Sequence, residues 1–360
     1  MRKRNISFII VICFEIALIL FLAFAKFNHC LAGYIGLGLC VCLFLVTIWI
    51  MLFPKAKSID PTGEHEVATK NITLVDETRL ETYIKGGSKR TIQVKFWYPK
   101  DINKEKPCSL VVFSHGSFGN VDNNETLMKE LASRGYVAAS IGHTYMASKV
   151  VINERAIKMS PLFRKEVTSI NPEKNKELAL KLYSKWMNIT SKDVCFAINQ
   201  IKESSDEINK IIDTSKICVM GHSFGGSTAL AVGRIRYDIS AVIALESPFM
   251  YDVKSIKNNR FVFDENEYPT RMLNIYSDSS FSRLSKWDQY AQNYRYLEVN
   301  NPKYKNVYLK GLGHMHLCDF QLASPFLSWI FSGVDSKNNA RTNLKAINKI
   351  VLDYFKEINF

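Results

Sequence analysis

The chain has 360 residues, 47% of them hydrophobic and 12% aromatic, which allows a sizeable core and excludes a wholly disordered chain. Lys and Arg outnumber Asp and Glu by 47 to 34, a formal net charge of +13. The basic residues are spread over the polar segments, with no Lys/Arg stripe interleaved with aromatics and no nucleic-acid motif. Nucleic-acid binding is therefore set aside in favour of a solvated basic surface near anionic lipid.

In chain order, two apolar stretches come first. Residues 6–25 carry one charged side chain, Glu15, and residues 31–53 carry none. Each is long enough to cross a bilayer as a helix. Together they predict a transmembrane hairpin over residues 1–53, joined by the turn 26–30, with a neutral or interhelically bonded carboxyl at Glu15. Arg2, Lys3 and Arg4 precede the first span, Lys55 and Lys57 follow the second, and only Lys26 lies between. The positive-inside rule then predicts a multi-pass cell-membrane protein with its soluble part cytoplasmic. The alternative is an extracytoplasmic domain, if only one segment spans; Ala23-Phe24-Ala25 resembles a signal cleavage site.

Residues 54–67 read as a linker and residues 68–360 as the soluble domain. Strands are predicted at 91–98, 109–113, 136–141, 217–220, 241–245, 271–276 and 306–309. Helices are predicted at 124–134, ended by Gly135, at 192–202, at 227–232 and at 341–359. Such alternation predicts a mostly parallel central sheet with helices on both faces. Residues 148–190 fit this plan poorly. They form either a cap inserted over the site or a surface excursion without a role. Eight cysteines are present; Cys13, Cys30, Cys40 and Cys42 lie in or beside the apolar stretch, and Cys108, Cys195, Cys218 and Cys318 are scattered with no Cys-x-x-Cys pair. That pattern predicts free thiols and neither zinc nor a disulfide framework.

The chemistry concentrates in Gly221-His222-Ser223-Phe224-Gly225, followed by Gly226. A Gly-x-Ser-x-Gly between a buried strand and a helix is the pattern of a nucleophile elbow, with Ser223 as the attacking residue. Acyl transfer also needs backbone N–H donors for the oxyanion. One is expected from Phe224. The other is expected from the turn in 113–119, at Ser117 or Phe118. The base is expected after the last strands, where His314 and His316 stand in a Gly-rich loop; His314 is the stronger candidate. His29, His65, His115, His143 and His222 read as structural. Two carboxylates end strands on the appropriate edge, Glu246 and Asp278, and fold-wide habit favours the later one, Asp278.

Five runs resemble, as a set, the platelet-activating-factor acetylhydrolase family (the lipoprotein-associated phospholipase A2 type) and its bacterial dienelactone-hydrolase-like relatives. They are Leu110-Val-Val-Phe-Ser-His-Gly-Ser-Phe-Gly119 with Leu131-Ala-Ser-Arg-Gly-Tyr-Val-Ala-Ala139, Gly221-His-Ser-Phe-Gly-Gly226 with Ala244-Leu-Glu-Ser247, and Gly313-His-Met-His-Leu-Cys-Asp-Phe320. The resemblance covers roughly residues 92–320. It implies an α/β-hydrolase fold, His314 as base and oxyanion N–H groups at Ser117 and Phe224. It also places Glu246 where the family has an Asp, which reverses the ranking of the two acids. The activity implied is calcium-independent hydrolysis of short or oxidised acyl esters of glycerophospholipids, with no cofactor and no metal. The expected partners are a lipid or other small ester and the membrane, with no nucleic acid and no required protein. Two other readings stand beside this one: a general short-chain carboxylesterase or acyltransferase, and a catalytically silent, membrane-attached binding protein on a hydrolase scaffold.

Overall fold

The computed structural model describes residues 2–25, 31–55, 58–101 and 107–360. Two helices, α1 (Arg2–Ala25) and α2 (Leu31–Leu52), lie against each other at the N-terminus. Within α2, Gly33–Leu52 has a mean hydropathy of 2.7 and is the one segment among the described residues long and apolar enough to cross a membrane. The apolar stretch of α1, Ile9–Phe24, is shorter. Glu15 is buried between the two helices and accepts a hydrogen bond from Thr47 Oγ1 at 2.7 Å. The turn 26–30 lies outside the described residues.

The soluble part opens on an antiparallel pair, β1 (Val67–Leu80) and β2 (Lys89–Pro99), followed by β3 (Cys108–Ser114), α3 (Glu125–Ser133) and β4 (Val137–His143). A small hairpin, β5 (Lys149–Ile152) and β6 (Arg155–Lys158), leads into α4 (Pro161–Ser169) and the long α5 (Lys176–Glu203). Next come β7 (Ile212–His222), α6 (Phe224–Ile235) and β8 (Ala241–Leu245), then a second hairpin, β9 (Val253–Lys257) and β10 (Arg260–Phe263). The chain ends with β11 (Arg271–Ser277), α7 (Ala291–Glu298), β12 (Tyr304–Leu309), α8 (Phe320–Ala323), α9 (Pro325–Ser332) and α10 (Ala340–Glu357).

Eight strands make the central sheet in the order β1-β2-β4-β3-β7-β8-β11-β12. The pairs β1–β2 and β2–β4 are antiparallel; the five pairings from β4 to β12 are parallel. The continuous apolar runs follow from burial on both sides, because successive residues of a strand face opposite ways. Leu110, Val112, Ile217 and Val219 pack on one face against Val194 and Ile198 of α5 and Leu230 of α6. Val111, Phe113, Cys218 and Met220 pack on the other against Leu127 and Leu131 of α3 and Ile347 and Val351 of α10. This is the expected mostly parallel, two-sided α/β sheet.

Two of the differences from the sequence reading concern the central sheet and the helix packed on it. β1 was not anticipated; it is an edge strand in which only Asp76 is fully buried, so it carries little apolar signal. The helix read as 192–202 is the second half of α5, which begins at Lys176 behind an Asn175 cap whose side chain accepts from Leu178 N at 2.9 Å. Residues 148–190 thus comprise β5, β6, α4 and the first half of a helix that packs on the sheet.

Candidate active site

Five chain segments converge at the carboxyl edge of the parallel strands. The turn after β7 carries Ser223, in a left-handed conformation at φ 56°. That strain is tolerated because the elbow is locked from both sides. Ser223 N donates to Leu245 O at 2.8 Å, and Gly226 N and Ser227 N donate back to Ser223 O at 3.0 and 3.2 Å. The flanking glycines are required by contact. A Cβ on Gly221 would lie 2.3 Å from the Gly225 carbonyl carbon, and one on Gly225 would lie 2.0 Å from Ser114 O. Ser223 is also the N-cap of α6, at the positive end of a helix.

Ser223 Oγ lies 2.9 Å from His314 Nε2. The other ring nitrogen, Nδ1, faces Glu246 Oε2 at 3.3 Å. Glu246 follows β8, is 2% exposed, and itself adopts φ 55°. Burial works against its charge, but His314 and the Ser277 hydroxyl outweigh this and hold its carboxyl below the usual range. Ser277 Oγ donates to the same oxygen, Oε2, at 2.6 Å. An ionised carboxylate behind Nδ1 selects the tautomer with its proton on Nδ1, which leaves Nε2 free to accept from the serine.

The structure does not bring Asp278 to the imidazole. Asp278 accepts from Tyr308 Oη and, at 3.0 Å, from Gly311 N, while its own N–H donates to Leu312 O at 2.8 Å. It fastens the base of the loop that carries His314. His316 is turned away: burial lowers its pKa, and its Nδ1 accepts from Gly313 N at 2.8 Å.

The oxyanion candidates border the cavity over the serine. Ser117 and Phe224 line the same cavity as Ser223 and His314. Neither N–H donates to a backbone carbonyl among the described residues. Phe118, at φ 62° and 47% exposed, is not part of the cavity wall. The Phe224 ring is packed between Phe163 of α4 and Trp186 of α5, at centroid distances of 5.9 and 5.6 Å.

Sequence reasoning did not single out two supporting residues, Ser277 and Ser279, and read a third, His222, only as structural. Ser277 anchors Glu246. Ser279 Oγ accepts from His314 N at 3.0 Å and donates to Ser332 O at 3.0 Å. His222, whose imidazole is pushed down to about 3 by burial and by its neighbour His314, is neutral and donates from Nε2 to His314 O at 3.1 Å. The strand-end position of Ser277 and Ser279 beside Asp278 was the only available signal.

The cavity over the serine measures about 530 Å³. Val167 of α4 and Ile170 and Pro172, between α4 and α5, form one wall with Tyr183 and Trp186; Ile330 and Phe331 of α9 form another. Arg283 and Gln289 are among its polar lining residues. Arg283 lies over the Trp287 ring at 4.3 Å. Among the described residues no group of three or more His, Cys, Asp or Glu side chains is placed to hold a metal ion.

Comparison with known proteins agrees with this architecture. The family described as Platelet-activating factor acetylhydrolase, isoform II, matches residues 97–359. Among solved structures, a ferulic acid esterase from Streptomyces cinnamoneus is similar over 82% of this chain and 91% of its own, at 20% identity and a TM-score of 0.62. A protein designated m3DLH is similar over 81% of this chain and 98% of its own, at 12% identity and a TM-score of 0.51. At these identities the two structures show the shared fold.

Proposed function

The chain belongs to the platelet-activating factor acetylhydrolase, isoform II, family and is a carboxylic ester hydrolase, and we propose that it works through Ser223, His314 and Glu246 on lipid esters. The observation that carries this reading is the run of contacts Ser223 Oγ–His314 Nε2 at 2.9 Å and His314 Nδ1–Glu246 Oε2 at 3.3 Å. Ser223 Oγ attacks the acyl carbonyl while His314 Nε2 takes its proton. The N–H groups of Ser117 and Phe224 receive the oxyanion. His314 then returns the proton to the leaving alkoxide, and the acyl group stays on Ser223. A water deprotonated by His314 releases it as a carboxylic acid. Glu246 holds the ring and balances the imidazolium that forms twice per turnover.

A lipid substrate is supported by the apolar side chains on two sides of the cavity and by α9. This helix contributes Ile330 and Phe331 to the cavity, exposes Trp329, Ile330 and Phe331 to solvent, and contacts α2. An apolar rim beside the membrane-type helix lets an acyl chain move from bilayer to serine with little exposure to water. Arg283 at the same rim supports an anionic headgroup, such as the phosphate of a short-acyl or oxidised glycerophospholipid. The flanking charges support a cytoplasmic site, which protease protection in sealed cells tests; digestion of the domain from outside would reverse the orientation.

The deciding experiment is a lipid-ester panel on the purified protein, with Ser223→Ala as control. Hydrolysis of short-acyl phospholipid vesicles that vanishes in S223A is expected. Activity on p-nitrophenyl acetate without any on vesicles would point to a general short-chain esterase. Failure of a fluorophosphonate to label Ser223 would point to a silent scaffold.

A further inference from the structure

The turn that carries Ser117 leaves β3 on top of a buried polar chain that the proposed reaction does not use. Ser114 Oγ is 2.9 Å from His143 Nε2, and His143 Nδ1 is 2.9 Å from Asp193 Oδ2. All three side chains are fully buried. Arg90 binds Asp193 through Nε at 3.0 Å and Nη2 at 2.5 Å, and Arg79 Nη1 lies 3.0 Å from Asp193 Oδ1. The order of groups is that of a serine–histidine–acid relay, yet no ester can reach it.

The protons in this chain can be placed. Burial works against the charge on Asp193, but Arg90 and the His143 hydrogen bond outweigh it and hold the carboxyl well below the usual range. Burial lowers the pKa of His143, so the ring is neutral. A carboxylate only accepts, so the ring proton is on Nδ1, and Nε2 accepts from Ser114. The Ser114 hydroxyl is therefore directed into the core, where it ties the end of β3 to β4 and α5.

His115 is the next residue. Its ring packs edge-on against His143, with centroids 5.3 Å apart, and burial with His143 beside it pushes its pKa down to about 3. His115 Nδ1 is 2.9 Å from Gly116 O. A carbonyl only accepts, so Nδ1–H donates; Gly119 N donates to the same oxygen at 2.9 Å. In a trans peptide the C=O of one residue and the N–H of the next point in opposite directions within one rigid plane. Holding Gly116 O from one side therefore turns the N–H of Ser117 to the other.

We infer that His115, backed by the buried Ser114–His143–Asp193 chain, is a positioning residue that sets the Gly116–Ser117 peptide plane and so aims the oxyanion donor. This rests on the hydrolase reading above. It assigns a function to a cluster that is a poor source of stability, since buried charges repay their desolvation only in part.

The test compares His115→Phe, which keeps a ring without the donor, with His115→Asn, whose amide N–H can reach the position of Nδ1–H. Loss of one oxyanion donor lowers kcat by roughly 10²–10³-fold. In H115F, kcat on a short-chain ester should fall by at least about 30-fold with KM within twofold. The affinity for a trifluoromethyl ketone transition-state analogue should fall by the same factor. H115N should recover kcat to within about fivefold of the wild type. Equal losses in the two variants, or a lower Tm with unchanged kcat, would overturn the inference. Should H115F not fold, Ser114→Ala carries the test: kcat and analogue affinity must fall together, and unchanged kcat is refutation. A wild-type protein that hydrolyses no ester and is not labelled at Ser223 would instead remove the hydrolase reading, and this inference with it.

Discussion

Replacing Glu246 by Gln keeps the shape of the side chain and removes its charge. In the proposed cycle the imidazolium of His314 faces that charge at 3.3 Å. At an effective dielectric constant of about 20, two unit charges at this distance interact by roughly 5 kcal/mol. Since Glu246 is 2% exposed, little water is available to replace the carboxylate. At about 1.36 kcal/mol per tenfold, E246Q should lower kcat by roughly 10³–10⁴-fold with KM nearly unchanged. Asp278→Asn is the matched control. Asp278 bonds to Tyr308 and Gly311 rather than to the imidazole, so D278N should cost no more than about fivefold. Steady-state kinetics on one soluble ester, with circular dichroism to verify folding, reads both. A loss in D278N equal to or larger than that in E246Q would refute the assignment of the acid.

Three further outcomes are expected. Arg283→Ala should raise KM for a phospholipid about tenfold and leave KM for an uncharged ester of the same acyl chain within twofold; equal effects on both would remove Arg283 from headgroup recognition. Trp329→Ala on α9 should weaken association with phospholipid vesicles about tenfold, as sedimentation would show, while hydrolysis of a soluble short-chain ester stays within twofold, because Trp329 is not part of the cavity wall. Burial pushes the carboxyl of Asp319 up to about 7, from 3.8 in an open chain. The folded state therefore keeps a proton that the unfolded chain releases, and this contribution is full below about pH 4 and lost as pH rises through 7. Between pH 5 and pH 8 the wild-type Tm should fall by several degrees relative to Asp319→Asn, and a difference independent of pH would contradict this.

The parallel strands were legible because they are buried on both faces: Leu110 to Phe113 and Ile217 to Met220 supply apolar residues to two separate cores. The Ser223 elbow was legible because glycines at 221 and 225 are demanded by backbone contacts near 2 Å, which few sequences satisfy by chance. β1 escaped because an edge strand buries so little. α9 escaped despite its Ser324 cap, its Pro325 and a Gly333 at φ 65°, because its pattern is inverted: Ser328 and Ser332 are buried while Trp329, Ile330 and Phe331 are exposed, and in eight residues this does not read as a core-facing helix. The work of Ser277 and Ser279 left no signal beyond their strand-end position beside Asp278. Ser277 meets Glu246 across 31 positions of sequence and Ser279 meets His314 across 35, contacts that only the order of strands creates.

That order also explains why fold-wide habit pointed to the other carboxylate. β8 lies between β7 and β11, so Glu246 ends the strand next to the one that bears Ser223, and Asp278 ends the strand beyond it. Adjacent strands are about 4.8 Å apart. His314 must return from β12 toward β7, and a carboxylate on β8 meets its ring near the end of that path. With a left-handed turn at its own Cα and the reach of one more methylene than Asp, Glu246 presents Oε2 to Nδ1. Asp278, one strand nearer to β12, is placed instead to bind Gly311 at the start of the loop. The two strand-end carboxylates thus divide two tasks, one facing the imidazole and the other fastening the loop that delivers it, and their neighbours in the sheet decide which does which.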